Sequence, residues 1–397
     1  MIASNHKQKL PVAPLKILSL KSFMPMAEKI DQLIVNMRHK EKIESGNSLM
    51  LSGYDTDSFL VNAECPRFSS GEAKGMIYES IHGTDLYILA DITNYSLKYD
   101  LYDYENQMSP DDHFQDLIRM IDACNGKAHR INVILPFLYE SRQDKRTNLE
   151  SLDCATALQE LVHMGVKNII TFDAHDPRVQ NAIPIEGFDN FYTSFQFIQA
   201  LLTVETDLNL SGGGLMIISP DEGGMSRAVF YANILELDMG MFYKRRDYAT
   251  VCDGKNPIVA HEFLGGDVEG RDVFIIDDMI SSGESVLEVA EELKLRKANK
   301  VFVAATFGLF TNGFYKFDEA YKNGIIDRVF TTNLIHCPEE LLSKPYYTNV
   351  DISKYIALII HTINHDSSVD GILNSTNRIK EMVKQYKEQK ELRNADK

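Results

Sequence analysis

Short runs of apolar and β-branched residues alternate along this chain with longer stretches in which apolar positions recur every three or four residues. The first pattern is that of buried strands, the second that of helices with one apolar stripe. Strands are predicted at Lys16 to Leu20, Leu86 to Ala90, Ile131 to Phe137, Asn168 to Phe172, Leu215 to Ser219, Val273 to Asp277, Val301 to Thr306 and Arg328 to Thr331. Helices are predicted at Met26 to Arg38, Leu149 to His163, Gly223 to Leu235, Glu284 to Leu295 and Ile352 to Ile363. In the first of these, Ala27, Ile30, Leu33, Ile34 and Met37 form the stripe. Strand and helix alternation of this kind predicts an α/β protein with mostly parallel sheets flanked by helices.

At 397 residues the chain exceeds what one core usually supports, so two domains are expected. The break is expected near Pro184 to Asn190, ahead of a helix from about Thr193. His39 to Tyr54 is polar and Ser211 to Gly214 glycine-rich, and both read as surface loops. From Asn377 the tail is rich in Lys, Glu and Gln, with Ile379, Met382, Val383 and Tyr386 on one helical face. Either that face docks against the body or a neighbouring subunit, or the helix is mostly solvated; the composition favours solvation.

A formal net charge of -16 argues against nucleic acid and anionic membranes as partners, because both demand a basic surface. Any anionic substrate has to meet locally placed cations. The five cysteines are odd in number, far apart and without a CxxC pair, which points away from zinc or a disulfide framework. No apolar stretch reaches the roughly 18 residues of a membrane span, and a soluble cytoplasmic protein is expected.

The chemistry concentrates in four segments. Val273 to Ser285 reads as a buried strand ending in Asp277 and Asp278, a turn with Ser281, Ser282 and Gly283, and a helix start at Glu284 and Ser285. Turn amides and a helix N-terminus suit a phosphate monoester, and the two carboxylates suit vicinal sugar hydroxyls or a divalent metal. Taken alone, the same residues would also serve merely to end a strand and cap a helix. The other segments are Pro136 to Arg146, Phe172 to Asp176, and Ser219 to Ala228 followed by Tyr243 to Arg246. A further segment, Pro66-Arg67-Phe68-Ser69-Ser70-Gly71-Glu72, lies upstream.

The loop at Asp277 resembles the signature of phosphoribosyl diphosphate-binding proteins. The whole set, in order and spacing over about Leu15 to Leu373, resembles the ribose-phosphate pyrophosphokinases. That resemblance implies two phosphoribosyltransferase-like domains, at 15–190 (ATP-binding) and 191–373 (ribose-5-phosphate-binding), with an extension at 1–14 and a helical tail at 374–397. It implies transfer of pyrophosphate from ATP to the anomeric hydroxyl of ribose 5-phosphate. It assigns Phe68, Ser70, Glu72, Arg142, Gln143 and Asp144 to ATP, and Asp277, Asp278, Ser281, Ser282, Gly283, Glu284 and Ser285 to ribose 5-phosphate. His175 and Asp221 are assigned to Mg2+, and Lys244, Arg246 and His175 to catalysis, with a flexible loop at 247–266. A homo-oligomer of hexamer type, built from dimers, is also implied, the Phe68 turn serving a neighbour.

The chain departs from the family at Ser281 (usually Asp), Glu284 (usually Gly) and Ser70 (usually Asp), and carries apparent insertions between Arg38 and Pro66 and around Leu97 to Ser109. The alternatives are a catalytically silent regulatory subunit associated with a synthetase, and a phosphoribosyltransferase. The latter does not require the Arg142-Gln143-Asp144 or Lys244-Arg245-Arg246 elements.

Overall fold

The structure, a computed structural model, describes residues 10–45, 53–246 and 258–395. It divides into two compact units that are not contiguous in sequence. Unit 1 runs to Tyr192 and also takes Asn333–His336 and Asp351–Leu373; unit 2 takes Thr193–Thr332, Cys337–Val350 and the chain from Asn374. Among the described residues no helix is long and apolar enough to cross a membrane.

Unit 1 begins with β1 (Leu15–Ser19), α1 (Met24–Ser45), a small antiparallel pair β2 (Ala63–Glu64) and β3 (Met76–Ile77), and β4 (Asp85–Leu89). A hairpin follows, β5 (Lys98–Leu101) and β6 (Tyr104–Gln107), then α2 (Pro110–Ala123), β7 (Arg130–Ile134), α3 (Asp153–His163), β8 (Asn168–Phe172) and β9 (Gly187–Phe191). The main sheet has the order β1-β4-β7-β8-β9, parallel throughout. Its inner strands, covered on both faces, are apolar runs, and Leu86, Tyr87, Ile88 and Leu89 are fully buried. Ser109 starts α2 by a reciprocal capping box with Asp112, with Pro110 in the first turn.

Unit 2 is built from α4 (Ser194–Val204), β10 (Leu215–Ser219), α5 (Met225–Leu235), β11 (Met239–Arg246), β12 (Ile258–Gly265), β13 (Asp272–Ile280), α6 (Glu284–Leu295), β14 (Val301–Gly308), α7 (Tyr315–Lys322), β15 (Arg328–Thr332), α8 (Glu339–Leu342) and β16 (Tyr347–Val350). Its sheet has the order β12-β11-β10-β13-β14-β15-β16 and is parallel except for β12. The chain then contributes α9 (Ser353–Asn364) and α10 (Asp370–Leu373) to unit 1, and ends with α11 (Thr376–Ala395) on unit 2.

Return of α9 to unit 1 builds a buried polar network against α1. The Arg38 guanidinium, 2% exposed, lies over the rings of Tyr54 and Phe59 and donates to Asn364 Oδ1 at 2.6 Å. Asn364 in turn donates to Asp85, which also holds Arg130 and Asn132 at 2.7 and 2.8 Å. Asp85 is fully buried, and five donors on one carboxylate, the Tyr87 hydroxyl among them, offset the cost of leaving water.

Several expectations are corrected. The stretch from His39 is not a loop at its start, because α1 runs on to Ser45, and Tyr54 is buried rather than on the surface. Helix α3 starts at Asp153, not Leu149, since Leu149 is wholly exposed and Gln143 holds the preceding loop by donating to the Ser151 carbonyl at 2.8 Å. Of the loop expected at 247–266, Ile258–Gly265 is instead strand β12, paired antiparallel with β11; residues 247–257 lie outside the described residues. The tail is docked, not solvated: Ile379, Val383 and Tyr386 are buried against unit 2, where α11 packs on α4 and α5. The Tyr386 hydroxyl donates to the Glu205 carbonyl at 2.7 Å and accepts from Leu208 N–H at 2.8 Å. Cys65, Cys124, Cys154 and Cys337 are free thiols; Cys252 lies outside the described residues.

Candidate active site

In unit 2, β10 is flanked by β11 on one side and β13 on the other, so the chain leaves β10 through α5 to one neighbour while its second neighbour comes later. Ligands of open α/β sheets collect outside the carboxyl ends of strands at such a switch point. The register deepens it. Strand β13 pairs with β10 only as far as Ile275 but with β14 as far as Ile280. Asp277 and Asp278 therefore stand on the part of β13 that overhangs β10.

Asp221 follows β10 and is locked by its own turn: Ser219 Oγ donates to the Asp221 carbonyl at 2.7 Å, and Gly224 N–H donates to Asp221 Oδ1 at 3.1 Å. A Cβ at Gly224 would crowd Ser219 Oγ at 2.9 Å, so glycine is required for this turn to close. Burial pushes the Asp277 carboxyl well above the usual range, with further upward pressure from Asp278 and Asp221 and relief from Arg227. Three carboxylates are thus brought within electrostatic reach of one another beside one cation. Hydroxyl donors or a divalent ion would relieve that arrangement.

Beyond β13 the chain turns through Ser281 and Ser282 into Gly283, whose φ of 86° is left-handed and which forms the N-cap of α6. A Cβ there would also overlap the buried Phe317 ring. No side chain caps α6 at Gly283. Glu284 N–H donates to Ser282 Oγ at 3.4 Å, and the helix dipole at this end favours an anion. Glu284, the residue most at odds with phosphate binding, is drawn aside into an ion pair with Lys316 at 2.6 Å, which holds its carboxyl below the usual range. Lys244 and Arg246 lie at the end of β11, where their backbone pairs with β12 through a bulge.

In unit 1, β7 and β8 are neighbours in parallel, so the segments after them leave the same edge. Arg142 is exposed on the loop after β7, while Gln143 and Asp144 are half-buried. The Gln143 amide is spent on its own loop, at Ser151 and more distantly at Lys145. After β8, Asp173 takes the left-handed conformation (φ 43°), its N–H donating to the Phe191 carbonyl, and the next turn presents His175 to solvent. Asp176 is pulled down to about 2 by its pairing with Arg178 and caps the following turn. Phe68 is 53% exposed on a turn where Ser70 Oγ donates to Glu72 at 2.9 Å.

One buried acid at this edge escaped the sequence reading. Asp91, past the end of β4, is 1% exposed and accepts from Thr93 and from His336 N–H; burial pushes it up to about 6. Its signal was there to use: like Asp173 and Asp277, it is an acid that ends an apolar run.

Among the described residues no cluster of three or more His, Cys, Asp or Glu is placed to ligate a metal directly. The unit 2 carboxylates nevertheless fit a hard divalent cation of the magnesium type. Such an ion takes one or two protein carboxylates, keeps waters and completes its shell with substrate phosphates.

A family model for the N-terminal domain of ribose phosphate pyrophosphokinase matches residues 15–165, and one for a phosphoribosyl synthetase-associated domain matches residues 250–373. The ribose-phosphate pyrophosphokinase of Vibrio cholerae is 30% identical over 320 residues, covering 79% of this chain and 92% of that protein. That of Synechococcus elongatus is 28% identical over 356 residues, covering 88% and 98%. The crystal structure of a phosphoribosylpyrophosphate synthetase from Mycobacterium smegmatis superposes with a TM-score of 0.69 at 20% identity, over 89% of this chain and 99% of the other, which is a likeness of fold. From its sheets, its strand-end acids and these relatives taken together, the chain belongs to the ribose-phosphate pyrophosphokinase family.

Proposed function

We propose that the protein transfers the pyrophosphoryl group of ATP to the anomeric hydroxyl of ribose 5-phosphate, giving 5-phosphoribosyl 1-diphosphate and AMP, in the cytoplasm and as a homo-oligomer. The observation that carries this reading is the gathering of Asp221, Asp277, Asp278 and the Gly283 turn at the switch point of the unit 2 sheet. The amides from Ser281 to Ser285 receive the 5-phosphate, and Asp277 and Asp278 hold the ribose hydroxyls. In unit 1, Arg142, Gln143 and Asp144 take the nucleotide, and Phe68, Ser70 and Glu72 serve the adenine, of this subunit or of a neighbour. Lys244 and Arg246 neutralise charge that builds up as the β-phosphorus is attacked, with His175 beside the triphosphate.

Asp221 in unit 2 and His175 in unit 1 are each a candidate to hold magnesium, which would screen the phosphate charges that otherwise repel the incoming hydroxyl. The chain's own residues do the rest, by positioning two substrates so that attack is in line.

The second reading, a silent regulatory subunit, takes its force from Glu284. The ion pair with Lys316 weakens it, since the side chain is drawn away from the turn. Incubation with ATP, ribose 5-phosphate and magnesium, followed by chromatography, separates the two. AMP formation dependent on ribose 5-phosphate is expected; none above buffer, across phosphate and metal conditions, leaves the silent subunit.

A further inference from the structure

The turn that the proposed function gives to adenine is held from beneath by the β5–β6 hairpin, which falls in the stretch that reads as an insertion. Phe68 N–H donates to the Glu72 carbonyl and Gly71 N–H to the Phe68 carbonyl, both at 2.8 Å. At the tip of the hairpin, Tyr102 sits at φ 53° and its N–H donates to the Ser69 carbonyl at 2.7 Å. Gly71 has φ 89°, and a Cβ on it would come within 2.6 Å of Leu101 Cδ1. Turn and hairpin are therefore in direct backbone contact, and the left-handed φ of Gly71 suits glycine there.

Arg67 clasps the two. Its side chain, 11% exposed, lies 4.7 Å from the centroid of the Tyr99 ring and donates to the Gly71 carbonyl at 3.3 Å. It pairs with Asp116 at 2.9 Å and Asp112 at 3.7 Å. Asp112 is also the acid of the α2 capping box and the acceptor of the Tyr99 hydroxyl at 3.5 Å. The hairpin, the turn and the start of α2 thus share one set of partners. An arginine committed to two acids, a ring and a carbonyl is not available to a ligand; what it does is fix the backbone that carries Phe68 and Glu72.

A turn with an exposed aromatic and no buried anchor of its own samples many conformations, and ordering it on binding costs affinity. We infer that Arg67 and the β5–β6 hairpin are positioning elements for nucleotide recognition, holding the Phe68–Glu72 turn ready and so setting affinity for ATP rather than turnover. This rests on the proposed assignment of that turn to the adenine.

The hairpin lends itself to excision. Met108 N–H already donates to the Leu97 carbonyl at 2.9 Å, so residues 98–107 can be replaced by Asn-Gly, which closes a two-residue turn. The excised variant and Tyr99→Leu are compared with the wild type in ATP binding by calorimetry, in KM for each substrate, in kcat and in melting. In the excised variant, the dissociation constant and KM for ATP are expected to rise on the order of tenfold, as when a preorganised loop must be ordered by its ligand. A smaller rise is expected for Tyr99→Leu. KM for ribose 5-phosphate and kcat stay near wild type, and melting stays cooperative. If the excised chain does not fold, Tyr99→Leu decides. Unchanged ATP affinity in a folded variant overturns the inference. A wild type that binds ATP but forms no AMP removes the proposed reaction and leaves the positioning role to the calorimetry; a wild type that binds no ATP removes both.

Discussion

Asp277 is asked to do what its surroundings resist. Burial and the adjoining Asp278 raise its pKa above the value it has in an unfolded chain. A carboxyl raised in the folded state costs nothing when protonated, and its cost grows as pH rises from the unfolded value, near 4, toward the folded one. Asp277→Asn should therefore raise the melting temperature near pH 8 by on the order of a few degrees. The gain should vanish near pH 4, while AMP formation is lost. A gain of equal size at both pH values would mean that charge is not its source. That Asp277, Asp278 and Gly283 would stand together where a strand turns into a helix was legible, because strand, paired acids, turn and helix follow one another locally in sequence. The inward role of Arg67, the burial of Asp91 and the fate of Glu284 were not. Each depends on partners far along the chain, such as Asp116, His336 and Lys316.

Among elements, the strands that the apolar runs pointed to all stand close to where they were expected, because a strand covered on both faces leaves a continuous apolar signature. Strands β9 and β16, with sequences GFDNF and YTNV, carry too few apolar residues to register, and β12 is an antiparallel addition at the sheet edge. The contact between α1 and α9 was equally invisible, and it brings its own pH dependence. His365 accepts Tyr54 or donates to it at 3.3 Å, and it is bonded to the His361 carbonyl at 2.7 Å. The carboxylate facing this pair is Glu41, which meets His361 at 3.1 Å and Tyr54 at 2.8 Å.

Burial, then the charges of His361 and Arg38, lower His365 to about 4. A depressed imidazole stays neutral in the fold while the unfolded chain takes up a proton, so its contribution is full above the ordinary histidine value, near 6.5, and is lost as pH falls through about 4. His365→Gln should flatten the fall in melting temperature between about pH 7 and about pH 5. A variant as steep as the wild type would place the dependence elsewhere.

At the scale of the molecule, composition and alternation gave the α/β class and two units, but not that the units interleave. A contiguous split near residue 190 is the simplest reading of the pattern; the compact units instead share the chain in several passages. No local signal announces that α9 belongs to the first sheet, since its apolar face would suit either. The consequence is testable. A fragment of residues 10–192 lacks Ile356, Ile359 and Ile360, all fully buried, and leaves Arg38 without Asn364. It is expected to melt without a cooperative transition, whereas joining residues 351–373 to it through a glycine-serine linker should restore one. Cooperative melting of the bare fragment would show that α9 is dispensable to unit 1.

On the ribosome, that arrangement reverses the usual sequence of events. The first sheet has emerged once β9 is out, yet the helix that seals it is translated after the whole second sheet. At about 5–20 residues per second, the gap is on the order of ten seconds or more. For that interval the apolar face that α9 covers in the folded unit stays open on the nascent chain.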